Sequence, residues 1–123
     1  MSLLDRRKKH PSLLAFCGAL LAAVAVGLSA YASHGVSDAS VQSRLQLASL
    51  YAFGHGAVLT VLGTTEARAL ERVGLSLLLL GTLLFAGSLV GGALLQWPTS
   101  LAPIGGFSLM LGWVALAVGA LRR

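Results

Sequence analysis

The stretch LYAFGHGAVLTVLG, residues 50–63, holds no Asp, Glu, Lys or Arg and places a histidine, His55, between two glycines. An uncharged, apolar run of this kind reads as the interior of a membrane span. The charge-free interval around it, Leu45 to Thr65, is long enough to cross a bilayer. About 20 apolar residues, rising about 1.5 Å each, cover a hydrocarbon core of about 30 Å. Two further charge-free intervals flank this one, His10–Ser37 and Val73–Leu121. The first holds one span. The second holds two, separated by QWPTS (residues 96–100), whose proline and polar groups make a turn and whose indole suits the headgroup level. The expectation is an all-α membrane protein of four antiparallel, up-and-down transmembrane helices over about residues 12–33, 41–63, 73–95 and 101–121, forming one domain over residues 1–123.

Composition agrees. The chain of 123 residues is 56% hydrophobic and 11% charged, far from the balance of soluble domains. The net charge of +5 does not indicate nucleic acid, because the basic residues cluster at segment ends without aromatic interleaving. Arg6, Arg7, Lys8 and Lys9 precede the first span, Arg68 and Arg72 lie between the second and third, and Arg122 and Arg123 close the chain; only Arg44 falls on the other side. The positive-inside rule then places both termini in the cytoplasm, with Tyr31 and Trp97 at the outer interface. The basic head and an Ala-x-Ala pattern at Ala30 and Ala32 also fit a cleavable signal peptide. The apolar run is longer than a signal core, so it is read as a span.

Lipid tails are as apolar as leucine, so helices in a membrane associate largely through close backbone approach at small residues. Such residues recur every seven positions: Gly105, Gly112 and Gly119 in the fourth span, Gly74, Gly81 and Ser88 in the third, Ser49, Gly56 and Gly63 in the second, and Gly18, Ala25 and Ala32 in the first. This period predicts left-handed packing with the rows turned inward. Gly87 and Gly91 form a small-xxx-small pair on another face, suited to a protein partner or a second copy.

The candidate polar residues are few. Counting from Arg44 puts His55 roughly 16 Å deep, near the midplane, with Thr82 and Trp113 at similar depth. A neutral imidazole there needs a donor and an acceptor, which predicts a ring facing protein, with Tyr51, Thr82, Trp113 or a free backbone group as partner. His34 lies at the outer end of the first span, where Gly35 allows a sharp exit and Ser37 or Asp38 can cap the next helix. His34 and His55 come out about 10 Å or more apart along the membrane normal, too far to share a metal. Cys17 is the only cysteine, and the sequence has no HExxH, phosphate loop, Ser/His/Asp set or paired carboxylates; all four acidic residues fall outside the expected spans. Neither an enzyme nor a metal or cofactor site is expected.

AYASHG (30–35), YAFGH (51–55), LFAGSL (84–89), APIGG (102–106) and LGW (111–113) resemble, in order and spacing, the small membrane proteins grouped as domain of unknown function 423. The family patterns are close to GAFGAHG, YxxxH, FSGSLY and TPIGG. His34, Tyr51, His55, Gly87, Ser88, Pro103, Gly105 and Gly106 stand at matching places, while Ser33, Ala86, Val90 and Ala102 depart from the pattern. The resemblance implies a four-span protein of the bacterial inner (plasma) membrane, with relatives such as transmembrane protein 256 in animals. Two roles follow as expectations: a non-catalytic auxiliary or assembly component of a membrane complex, or a small-solute or proton pathway lined by His55, Tyr51, Thr82 and Ser88.

Overall fold

A computed structural model describes residues 11–65 and 68–122; the basic head Arg6–Lys9 and Arg123 lie outside them. The chain forms α1 (Leu13–Gly35), α2 (Ala39–Leu62), α3 (Ala69–Leu94) and α4 (Leu101–Leu121), each long and apolar enough to cross a membrane. It is an all-α membrane protein.

Local chemistry sets the ends. Ser12 caps α1 by accepting from Ala15 N at 3.2 Å. Asp38 caps α2, its Oδ1 accepting from Ser40 N at 2.9 Å and Val41 N at 3.1 Å, which starts that helix at Ala39 rather than at 41. Gly35 stays in α1 and adopts no positive φ; it makes room instead for the Tyr31 ring, which a Cβ would meet at 2.9 Å. The third helix begins at Ala69, four residues before 73, so Glu71 sits in its first turn. Acidic charge is favourable at that helix end. Glu71 is therefore inside a helix, buried against Gly119, rather than outside the spans. After α3, Gln96 takes φ 56° and turns the chain, while Gly91 O accepts from both Leu95 N and Trp97 N. Pro103 falls in the first turn of α4, where its missing N–H has no intrahelical partner to lose.

The seven-residue rows lie in the helix contacts, each serving one neighbour. Between α1 and α2, a Cβ on Gly18 would stand 2.7 Å from Gly56 O, one on Gly56 2.6 Å from Gly18 O, and one on Gly63 2.8 Å from Ala15 N. Between α3 and α4, a Cβ on Gly74 would meet Gly112 O at 3.0 Å, one on Gly81 would meet Gly105 O at 2.8 Å, and one on Gly105 would meet Phe85 N at 2.5 Å. Numbers rise along one helix as they fall along the other. The result is two tightly packed pairs, α1/α2 and α3/α4, joined along α2 and α3. Among the described residues α1 barely approaches α3, and α4 brings no Cα within 8 Å of α1 or α2. The rows thus face pair partners rather than a shared centre. A helix can offer backbone contact on one narrow stripe only; larger side chains fill the second interface.

Those side chains form two clusters. Ala25, Ala48, Ala52 and Ala86 meet toward the α1–α2 loop, and Leu59, Leu75, Leu78 and Leu109 toward the opposite end. Polar side chains bond across the pairs to backbone: Ser49 Oγ donates to Ala25 O at 2.9 Å, Gln42 Nε2 to Ala32 O at 2.8 Å, and Ser108 Oγ to Leu77 O at 2.9 Å. Gln46 accepts from Ser29 Oγ at 2.8 Å and donates to Ser33 Oγ at 2.9 Å. In hydrocarbon each of these groups would be costly if left unpaired.

Adjacent glycines in α4 give a controlled test. Gly105→Ala forces a Cβ into backbone and is expected to cost about 1–3 kcal/mol by overpacking. Gly106 has nothing within 4 Å of its Cβ position, so Gly106→Ala is expected to be neutral or to stabilise by up to about 1 kcal/mol through helix propensity. Unfolding of both variants in one detergent checks the contrast.

Candidate functional site

His55 occupies the seam between the two helix pairs. It lies about two turns from the Leu62 end of α2, because that helix starts five residues before Arg44, so it sits nearer the membrane edge than a count from Arg44 implies. Its Nδ1 is 2.8 Å from Tyr51 O, one turn earlier in α2. A carbonyl only accepts, so Nδ1 carries the proton. The indole Nε1–H of Trp113 donates to Nε2 at 3.1 Å, which requires that nitrogen to be unprotonated. The two bonds together select the neutral Nδ1–H tautomer and use both ring nitrogens. Adding a proton at Nε2 would break the bond to α4.

The rings form a short stack across three helices. Tyr51 lies 5.8 Å from His55 at 19°, Phe85 of α3 lies 4.6 Å from Tyr51, and Trp113 of α4 lies 5.8 Å from His55. His55 is half-buried and Trp113 is 43% exposed, so the cluster is visible from one side of the helix layer. Because α2 and α4 do not meet through backbone, this indole–imidazole bond is the described hydrogen bond linking them.

The other expected residues are elsewhere. Thr82 is fully buried and makes no hydrogen bond to His55: with Ala86 it lines the space between α3 and α1 and α2, while Phe85 carries the contact with Tyr51. Ser88 is buried, and neither its Oγ nor Thr82 Oγ1 has a partner among the described residues. His34 is exposed in the last turn of α1, roughly 24 Å in helix rise from the level of His55. No group of three or more His, Cys, Asp or Glu that could hold a metal occurs among the described residues. Gly87 meets nothing within 4 Å, whereas the Trp97 ring covers Gly91, so the expected Gly87/Gly91 face is open only at Gly87. Sequence reasoning missed Gln42, Gln46 and Ser29. Gln42 extends the Ser49–Gly56–Gly63 row by one more step of seven, and that was the available signal.

The chain is similar to known proteins over most of its length. A family model described as protein of unknown function (DUF423) matches residues 28–106, which include His34, Tyr51, His55, Thr82 and Ser88 but not Trp113. A UPF0382 membrane protein of Staphylococcus epidermidis is 33% identical over 112 residues, covering 85% of this chain and 92% of the relative. One from Haemophilus influenzae is 33% identical over 126 residues, covering 94% and 96%. One from Staphylococcus saprophyticus is 34% identical over 113 residues, covering 85% and 93%. No solved structure matches.

A double-mutant cycle on His55→Phe and Trp113→Phe tests the link. Coupling of about 0.6 kcal/mol, and up to about 1.7, is expected from measured intramembrane hydrogen bonds. Nitrogen NMR of the native ring should report Nδ1–H.

Proposed function

This chain belongs to the DUF423 family of small membrane proteins, and from that premise we propose that it serves as a non-catalytic auxiliary component of a larger bacterial inner-membrane assembly. The observation that carries this reading is where the polar groups go. Ser49, Gln42, Gln46, Ser108 and His55 all spend their hydrogen bonds within the chain, most of them on backbone of the paired helix. Their work is to hold helices. The outer faces are less committed: Gly27, Gly54, Gly87 and Gly106 have open space where a Cβ would stand, and α1 and α4 do not close on each other. Glycines facing outward permit close approach by a partner helix.

The basic residues orient this component with both termini and the α2–α3 loop in the cytoplasm. A solute or proton path receives less support. His55 has both nitrogens engaged, and Thr82 lines a different space, so the two do not form one polar lining.

Blue-native electrophoresis of gently solubilised membranes at native abundance is expected to show the chain in a band well above its own 12.6 kDa and micelle. Migration solely as a monomer would contradict the proposal.

A further inference from the structure

At the end of the helix layer that the basic residues mark as cytoplasmic, a pocket of about 600 Å³ opens between the start of α1, the end of α2 and the start of α3. Its lining is graded from polar to apolar. Each of the three segments passes from a polar residue at the membrane edge to a leucine further in: Ser12 to Leu14, Thr65 to Leu62, and Arg72 to Leu75, the last step about 4.5 Å of helix rise. Leu75 is buried at the base. A molecule that fits such a pocket carries its own polar head at the edge and hydrocarbon beneath.

The polar rim offers donors and positive charge. The Arg72 guanidinium makes no hydrogen bond or ion pair with another described residue, whereas Arg68 donates to Arg122 O. Ser12 Oγ accepts from Ala15 N, which leaves its own O–H to donate. The N–H groups of Leu13 and Leu14, the first two residues of α1, have no carbonyl of that helix within reach. Thr65 spends its O–H on Leu62 O at 2.8 Å, so its oxygen only accepts. Carboxylates do not balance this rim. Glu71 packs against Gly119 of α4, and in the flanking sequence Asp5 and Glu66 stand against Arg6, Arg7, Lys8, Lys9 and Arg72. Connectivity alone keeps the four basic residues of the head within about 18 Å of Pro11, which lines the pocket.

We propose that this pocket binds the headgroup of an anionic phospholipid, its phosphate on Arg72, Ser12 and the free N–H groups of α1, and the start of its acyl chains along Leu14, Leu62 and Leu75. Arginine suits this task because its planar fork donates two parallel bonds to a phosphate. Basic pockets between transmembrane helices at the cytoplasmic face are the setting in which anionic headgroups are held. A zwitterionic headgroup brings an ammonium for which the described lining has no carboxylate. A free phosphate would use the rim alone and leave the leucines uncovered. The inference stands apart from any assembly role, since it concerns the purified chain and lipid.

Native mass spectrometry of the full chain, released from micelles holding equal amounts of phosphatidylglycerol and phosphatidylcholine, reads which lipid is retained. One phosphatidylglycerol is expected, preferred about tenfold over phosphatidylcholine, the effect of one charge-assisted hydrogen bond. Arg72→Gln and Arg72→Met should each erase the preference. Arg44→Gln removes the same charge from the opposite end of the layer and should leave it intact. Thermal unfolding gives a second reading: phosphatidylglycerol should raise the midpoint of the native chain and of Arg44→Gln but not of the Arg72 variants, whose midpoints in phosphatidylcholine alone show that they are folded. Equal retention of the two lipids by the native chain, a preference that survives at Arg72→Gln or Arg72→Met, or the same loss in Arg44→Gln would overturn the proposal. Inorganic phosphate in excess over lipid should not displace the bound molecule; displacement would assign the pocket to a free anion and overturn the lipid reading.

Discussion

Close backbone contact at the glycine rows is the constraint on which the structure depends. Hydrophobic burial, which organises soluble bundles, gives little drive between helices already surrounded by hydrocarbon. What remains is dispersion between surfaces that fit closely and hydrogen bonds that water does not contest. Both need short interhelical distances. Gly18 against Gly56, and Gly74 and Gly81 against Gly112 and Gly105, supply them, and the polar links from Ser49 to Ala25 O and from Ser108 to Leu77 O become possible only because the backbones are that near. Leucine and phenylalanine are correspondingly free to face lipid, as Leu50, Phe53, Phe107 and Leu111 do.

The same constraint explains why the helices form pairs rather than a closed ring. A glycine row is one stripe wide, so a helix that uses it on one neighbour has only side chains for the next. The α2–α3 junction is accordingly built from Leu59, Leu75, Leu78 and the Tyr51–Phe85 contact. The His55–Trp113 bond reaches across α3 to connect helices whose backbones do not meet. Its polar character fits that distance: an indole and an imidazole are long enough to span it, and each satisfies the other's ring nitrogen. The region between α1 and α3 receives no glycine-row contact, and there a groove remains, floored by Ala48 and Ala52.

Much of this was legible in the sequence, for identifiable reasons. Charge-free intervals mark spans because a charge in hydrocarbon is expensive, and small residues at a period of seven mark contacts because only they allow backbone approach. Pairing is not legible in the sequence: a row shows which face is in contact but not with how many neighbours, so the period of seven fits a common interior as well as separate pairs. Depth alone groups Thr82 with His55, and depth carries no information about azimuth. At Thr82 the helix face is set by Gly81, one residue away, which is committed to α4. Glu71 falls inside α3 because a helix does not have to begin at the first uncharged residue: an acidic side chain is favourable in the first turn, and α3 begins at Ala69 although Arg68 makes no side-chain cap bond. The Gln42 and Gln46 links are not apparent in the sequence because glutamine in an apolar run reads as an interruption, whereas here Gln42 extends a packing row and both bond to α1.

Oxidative crosslinking in intact membranes, on a chain with Cys17→Ser, addresses the central claim most directly. A disulfide forms readily only where Cα atoms lie about 4.4–6.8 Å apart. Ala25→Cys with Ser49→Cys, both small positions in the α1/α2 contact, should crosslink fast and nearly completely, while Ala19→Cys with Ala117→Cys, on α1 and α4, should not. A rapid α1–α4 crosslink together with an inert Ala25/Ser49 pair would contradict glycine-row pairing as the basis of the fold.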